Sequence, residues 1–352
     1  MKPVKIGIIG CGVIGSVHAS SAVDVPDVEL VALADMNLEA ANALAQKHNV
    51  PRTYASAEAL IADDEIEAVI LALITGIRTP IALQALAAGK HVLLEKPPAL
   101  NADDLCTVIA AQNGLTVGCC SSRMTFLDGA EQAAAIVAAG RLGAIRVVRC
   151  RGLSQVKVRP DNPAPPPWRV SHGMNGGGYM VNWGVYDLNY LMHVTGWQLE
   201  PQTVLAQIWE IAADLRDGRV HPASDAENHA IVMIRCAGGE VLTLERGETM
   251  SIRDDLAWEL TGELGSLRLN MLPYGEAPPI IHDQADTDVG LTTNIVLDRH
   301  GTDVQHSMPL RDFAQSIRTG AQPRTNLERA LIIQRILDAV YASAASGTAV
   351  QL

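Results

Sequence analysis

The chain has 352 residues, 48% hydrophobic and 19% charged, with 27 basic against 39 acidic side chains for a formal charge of −12. That length exceeds what one hydrophobic core usually fills, so two domains are expected, and the acidic balance excludes nucleic acid as a natural partner. No run approaches the roughly 20 apolar residues of a membrane span, so no membrane partner is expected either.

Residues 4–9 predict a short buried strand, followed by the turn Gly10-Cys11-Gly12-Val13-Ile14-Gly15 and a helix over 13–23. Lys2 and Lys5 ahead of this run faintly imitate an export leader ending at Cys11. The run is shorter than the roughly 7 to 15 apolar residues a leader needs, and glycine interrupts it, so no leader is expected. A second strand, Glu29 to Ala34, ends at Asp35 and precedes a helix from Leu38 to His48. The alternation continues with strands at Ile66 to Leu73, His91 to Leu94 and Thr116 to Cys120, and helices at Pro80 to Ala88 and Ala102 to Asn113. Strands apolar on both faces and separated by helices predict a parallel, doubly wound α/β domain over residues 1–123.

Beyond it a helix from Gly129 to Ala139 is followed by β-type runs at Ile145 to Val158, Thr203 to Ile211, His229 to Cys236, Glu240 to Glu248 and Ala257 to Thr261. Several have no helix between them, and Ala237-Gly238-Gly239 is a hairpin signal. These predict an α+β domain over 124–352 with a large, mostly antiparallel sheet. The proline-rich residues 160–167 exclude helix and central strand, so a loop is expected there, at the mouth of a cleft just before Gly176-Gly177-Gly178. Helical patterns from Leu310 to Thr319 and Leu327 to Ser346 close the chain, which has no internal repeat. None of Cys11, Cys106, Cys119, Cys120, Cys150 and Cys236 forms a C-x-x-C pair, which predicts a reducing, cytoplasmic setting and no metal site.

A G-x-G-x-x-G run is weak evidence alone. Here it follows a strand, opens a helix and has Asp35 twenty positions beyond its last glycine, the context of a dinucleotide site. Gly10, Cys11, Gly12, Val13, Ile14 and Gly15 are the expected cradle, with the helix N-terminus facing the pyrophosphate. Asp35 accepts hydrogen bonds from ribose hydroxyls and repels a 2′-phosphate, while Met36 and Asn37 offer no offsetting cation, so NAD is favoured over NADP. Leu73, closing the third strand, is a further expected cofactor contact.

Lys96 carries the sharper expectation. A lone lysine is ordinarily a solvated surface charge. This one ends an apolar strand at the carboxyl edge of the sheet, where doubly wound folds bind ligands, and Pro97 and Pro98 follow it. Such prolines hold a tight turn, with a cis bond one option, and fix the lysine's direction. Partial desolvation favours a neutral amine and suits it to general acid or base work. Glu95 either orients the lysine or contacts the nicotinamide ribose.

The stretch from Gly176 to His193 reads as a mostly apolar helix with Asn182, Tyr186, Asn189 and His193 in one stripe. The stripe faces either bulk solvent or a wet cavity. The adjacent glycine triplet, which permits close approach to backbone, favours the cavity. Arg123, and Arg169 beside Trp168, are candidates for holding substrate or cofactor phosphates, or else surface residues.

These segments together resemble the Gfo/Idh/MocA oxidoreductases. The resemblance rests on G-C-G-V-I-G at 10–15, A-G-K-H-V-L-L-E-K-P-P at 88–98, the triple-glycine helix, W-E-L-T-G-E-L-G-S-L at 258–267 and the final helix with Tyr341 to Gly347. It implies a Rossmann domain, a second domain whose open sheet serves dimers and tetramers, a bound nicotinamide cofactor and a catalytic role for Lys96. Homodimer or homotetramer is therefore the expected assembly. Two departures stand out: the family's D-x-G-x-H becomes Asn182-Trp183-Gly184-Val185-Tyr186, and its frequent T-P-x-x-x-H becomes Ile74-Thr75-Gly76-Ile77-Arg78.

The leading expectation is hydride transfer between NAD and a secondary carbinol of a sugar, glycoside or cyclitol. Lys96 and Tyr186 share the hydroxyl proton, since a nearby ammonium lowers a phenol's pKa. Asn182 orients the hydroxyl, Arg78 and Arg123 join the substrate contacts, Trp168 and Arg169 join those to cofactor, and Asp187 points elsewhere. The alternatives are a redox-neutral glycosidase, with Arg78, Arg123, Arg159 and Arg169 reading an acidic sugar, and a non-catalytic nucleotide sensor.

Overall fold

Two compact units make up the chain, Met1–Arg123 with Asp303–Ile332 and Met124–Thr302 with Ile333–Leu352. The structure, a computed structural model, describes residues 2–156, 166–211, 219–272, 280–296 and 304–352. Arg159, the end of the strand expected to reach Val158, and residues 160–165 of the proline-rich loop lie outside the described residues.

The first unit alternates strand and helix: β1 (Val4–Ile9), α1 (Val13–Asp24), β2 (Val28–Ala34), α2 (Leu38–His48), β3 (Arg52–Tyr54), α3 (Ala57–Ile61), β4 (Ala68–Leu71), α4 (Thr75–Ala87), β5 (His91–Leu94), α5 (Ala102–Ala111) and β6 (Val117–Cys119). The six strands form one sheet in the order β3-β2-β1-β4-β5-β6, parallel throughout. That is the doubly wound Rossmann order, whose ligand crevice opens at the carboxyl ends of the strands where the winding reverses, here between β1 and β4. Ile6, Ile8, Leu33, Ile70 and Leu71 are fully buried, because helices cover both sheet faces, and this is why the strands read as unbroken apolar runs. Asn37 caps α2 by accepting the Ala40 N–H at 3.3 Å. Helix α4 starts at Thr75, five residues ahead of the expected Pro80, which it carries inside.

Residues expected in the second domain also enter this unit. Leu310, Phe313 and Ala314 of α9 (Val304–Thr319) join the core that contains Ile6, Ile8 and Leu33. The periodicity of this helix was legible; its partner was not, because an amphipathic stripe does not name the sheet it covers.

The second unit contains α6 (Asp128–Ala138), β7 (Ile145–Gln155), a 3-10 turn (Pro167–Val170), α7 (His172–Asn175), a π-helical turn (Met180–Gly184) and α8 (Val185–Val194). There follow β8 (Pro201–Trp209), β9 (His229–Cys236), β10 (Val241–Met250), β11 (Asp255–Gly262), β12 (Gly265–Leu269), β13 (Ile280–Asp286) and β14 (Gly290–Val296). Helix α10 (Leu327–Ser346) begins in the first unit and ends in the second, before β15 (Val350–Gln351). Nine strands form a sheet in the order β14-β13-β12-β11-β7-β10-β9-β8-β15. Every pairing is antiparallel except β7 with β10. Among the described residues no helix is long and apolar enough to cross a membrane.

Candidate active site

The glycine loop between β1 and α1 shows why each glycine is there. Gly10 has φ +100°, and a Cβ on it would meet the Ala72 carbonyl oxygen at 2.5 Å. At Gly15 a Cβ would lie 1.9 Å from the Gly10 carbonyl oxygen. Those two serve the fold itself. A Cβ on Gly12 would meet no protein atom within 4 Å, so the demand for glycine there comes from outside the chain. Gly12 is also the N-cap of α1 and brings no side-chain cap, and Val13 beside it is 88% exposed. A helix N-terminus with uncapped N–H groups and an approachable backbone fits a pyrophosphate.

Asp35 is fixed by backbone donors: one oxygen accepts the Cys11 N–H at 2.8 Å and the other accepts the Asn37 N–H at 2.8 Å. Its carboxylate is thereby held at the end of β2, the ribose-reading position of this topology. Cys11 is buried with its thiol directed to the Ala34 carbonyl, and burial first, then the charge of Asp35, pushes that thiol up to about 11. Ile14 packs against one side of the sheet core and Leu73 against the other. These residues fit an NAD adenosine and pyrophosphate.

Lys96 follows β5 on the same carboxyl edge. It is half-buried, between the buried Glu95 and the buried Pro97 and Pro98, and the Lys96–Pro97 bond is cis. Glu95 points inward. Its Oε1 accepts from His18 Nε2 of α1 at 2.9 Å, and its Oε2 accepts the Lys96 backbone N–H at 3.0 Å. Burial alone would raise this carboxyl, but the hydrogen bond and charge of His18, then Arg123 and Lys96, hold it well below the carboxylate range. Glu95 therefore anchors the turn as an ionised group, which fits the first of its two expected roles, orienting Lys96. Cys120 lies in the same cluster, its ligand atom within 4.8 Å of those of His18 and Glu95. Burial foremost, then Glu95, pushes the Cys120 thiol far up, which keeps it protonated.

Both arginines expected to read substrate are engaged in the first unit. Arg78 is buried, and its guanidinium donates to the carbonyls of Leu73, Glu95 and Pro97, the Glu95 bond being 2.8 Å. A side chain at 2% exposure with three backbone partners does not project into solvent to meet a sugar. Arg123 Nη1 lies 3.1 Å from Nδ1 of His306. Burial first, then the charges of Arg123 and His18, lowers His306 to about 4, so this imidazole is neutral near pH 7 and can accept from the guanidinium.

In the second unit the polar stripe faces protein, not bulk water. Asn182, Tyr186 and Asn189 are buried, while the half-buried His193 lies 3.8 Å from Glu131 of α6. Asn182 sits in the π-helical turn, an irregularity that widens the coil and that no periodicity in the sequence announces. Asp187 points the other way, as expected, and has a definite partner: its carboxylate accepts from Arg246 Nη2 at 2.6 Å, Arg246 Nε at 2.9 Å and the Trp258 indole N–H at 2.9 Å. Arg246 also lies 5.5 Å from the Trp183 ring, which packs edge-on against Tyr186.

The triple glycine has a different cause from the one expected. A Cβ on Gly177 would lie 1.9 Å from the Tyr341 hydroxyl, and one on Gly178 would lie 1.9 Å from the Glu227 carbonyl oxygen. Glu227, fully buried, accepts the N–H groups of Gly178 and Met180 at 2.9 and 2.8 Å and the Tyr341 hydroxyl at 3.0 Å. The close approach is thus made by the protein's own groups. Burial pushes the Glu227 carboxyl up despite those donors. Trp168 is 38% exposed and Arg169 half-buried, both on the 3-10 turn. His18, Glu227 and Arg246 were missed, and Tyr341 was noted only as part of the final helix, since isolated buried polar groups carry no spacing signal.

Known proteins share this organisation. Residues 4–119 match an oxidoreductase family of NAD-binding Rossmann fold, and residues 130–268 match the GFO/IDH/MocA C-terminal domain. D-glucoside 3-dehydrogenase of Escherichia coli is 26% identical over 361 residues, covering 100% of this chain and 98% of that protein. D-xylose 1-dehydrogenase (NADP(+)) 2 of Haloferax volcanii is 26% identical over 360 residues, covering 99% and 100%. Levoglucosan dehydrogenase in complex with NADH superposes with a TM-score of 0.83 at 21% identity, covering 99% of each chain. With both halves matched in order, the chain belongs to the Gfo/Idh/MocA family of NAD-binding oxidoreductases.

Proposed function

We propose that this protein is a dehydrogenase that moves a hydride between NAD and a secondary carbinol of a sugar, glycoside or cyclitol, with Lys96 as its proton-transfer group. The observation that carries the reading is the position of Lys96, half-buried on the carboxyl edge of the parallel sheet that also carries the glycine loop. The names of the relatives, dehydrogenases of a glucoside and of xylose, support the substrate class. When bound, the nicotinamide supplies the hydride acceptor. Lys96, as the free amine, takes the hydroxyl proton at Nζ while the carbinol carbon gives up its hydrogen with both electrons, leaving a carbonyl and an ammonium. Glu95, His18 and the two prolines keep the turn that carries the amine in place. Within the second unit, Asn182 is proposed to orient the substrate hydroxyl and Tyr186 to share its proton; both side chains are buried.

The test is incubation with NAD and, in turn, methyl β-D-glucoside, D-xylose, levoglucosan, myo-inositol and a chromogenic glucoside, following NADH and released aglycone together. NADH formed in step with ketone supports the dehydrogenase. Aglycone released without net NADH would replace it by the redox-neutral glycosidase, and no turnover on any of them would count against the substrate class.

A further inference from the structure

We propose that Arg78 is a positioning residue for Lys96: its buried guanidinium gives the Glu95 carbonyl the donor that Pro98 lacks, holds the Pro97 carbonyl as well, and so fixes the direction of the lysine amine. The inference rests on the assignment of Lys96 as the proton-transfer group.

In an ordinary four-residue turn the first carbonyl accepts the N–H of the residue three positions on. For a turn opened by Leu94 or by Glu95, that residue is Pro97 or Pro98, and neither has an N–H. A buried carbonyl left without a donor is costly, so the donor must come from elsewhere. Arg78 supplies it. From α4 its Nη1 reaches the Glu95 carbonyl at 2.8 Å and also the Pro97 carbonyl, the two that flank Lys96. Its Nη2 donates to the Leu73 carbonyl, two residues beyond the end of the neighbouring strand β4. One planar group thus ties the exits of β4 and β5 together around the lysine. Five fixed donors on a rigid fork suit this task, and a lysine ammonium does not reproduce it.

The guanidinium is 2% exposed, and its Nε has no hydrogen-bond partner. Burying a charge that incompletely satisfied makes sense when the shape it imposes is needed. The charge that faces it is Glu95, with the neutral thiols of Cys119 and Cys120 nearby, but among the described residues the guanidinium's hydrogen bonds go to carbonyls.

The experiment compares Arg78→Met, Arg78→Lys and Lys96→Met. In each, kcat and KM are read on whichever carbinol the wild type oxidises, NADH affinity by fluorescence titration, and amide exchange at Lys96 in the protein without cofactor by residue-resolved mass spectrometry. Arg78→Met is expected to lower kcat about 10- to 100-fold with KM and NADH affinity within about threefold, the signature of a displaced catalytic group. The Lys96 amide is expected to exchange at least about tenfold faster, because its turn opens locally. Arg78→Lys should fall between wild type and Arg78→Met in both readouts, and it carries the test alone if Arg78→Met does not fold. A raised KM at unchanged kcat would make Arg78 a substrate contact and overturn the proposal, as would unchanged exchange at Lys96. Lys96→Met separates the two claims: full turnover in that variant refutes the role of Lys96, while the exchange result still judges what Arg78 does to the turn.

Discussion

Truncating Asp187 to alanine strands a buried charge in the second unit. Its carboxylate has no exposure and neutralises Arg246, itself 2% exposed, through two hydrogen bonds of 2.6 and 2.9 Å, with a third from Trp258. Asp187→Ala leaves the guanidinium buried beside the Gly152 carbonyl at 3.2 Å and the Trp183 face, with no carboxylate in hydrogen-bond contact among the described residues. Removing one partner of a buried ion pair costs about 3 to 5 kcal/mol, because the survivor keeps its desolvation penalty. For a unit of this size, each kcal/mol lowers the melting temperature by about 2 to 4 °C, so the variant should melt about 6 to 20 °C below wild type. Adding Arg246→Met removes the stranded charge and should restore at least half of the loss, since an apolar replacement of similar length packs without that penalty. Calorimetry of the wild type, both single variants and the pair reads this directly. A melting temperature for Asp187→Ala within 2 °C of wild type, or no recovery in the double variant, would refute the reasoning; the margin of about 2 °C corresponds to under about 1 kcal/mol.

Three further outcomes follow from the first unit. Gly15→Ala should destabilise the fold, since its Cβ meets the Gly10 carbonyl at 1.9 Å, whereas Gly12→Ala meets no protein atom and should keep the melting temperature while weakening NADH binding by about tenfold or more, read by titration. His306, held at about 4 against about 6.5 when unfolded, stays neutral in the folded chain while the unfolded chain takes up a proton. Stability from this residue is therefore full above about pH 6.5 and is lost as pH falls toward 4, by up to about 3 kcal/mol, and His306→Gln should flatten that part of the urea-midpoint profile. Exchanging Asp35 for serine and Met36 for arginine should move the NAD to NADP preference by about 100-fold in kcat/KM, equivalent to about 2.7 kcal/mol, and an unchanged ratio would remove Asp35 from cofactor reading.

The sequence made the Rossmann half legible because its strands are buried on both faces: strands Val4–Ile9 and His91–Leu94 lie where the apolar runs put them, and helix Leu38–His48 lies where its alanine-rich pattern put it. Strand β3 was invisible, since Arg52, Thr53 and Tyr54 are three half-buried residues with no pattern. Strands β13 and β14 were missed for a related reason, as Gly290–Val296 is largely exposed and its hairpin leaves no apolar run. The spacing placed the glycine loop, Asp35 and Lys96 on the carboxyl edge of the parallel sheet, where the structure has them. Arg78 and the triple glycine have partners within the chain, as Arg123 has in His306, and the sequence does not show them for one physical reason. A sequence shows that a charge or a missing side chain is present, but not whether its partner is a ligand or, as with the Pro97 carbonyl, His306 and the Tyr341 hydroxyl, the rest of the chain.

The central claim is that Lys96 transfers the proton that accompanies hydride transfer. Its most direct test is a crystal structure with NADH and a bound polyol. The account predicts Lys96 Nζ within about 2.6 to 3.2 Å of the carbinol oxygen whose carbon faces the nicotinamide. An Nζ directed into solvent, with another side chain on that oxygen, would contradict it.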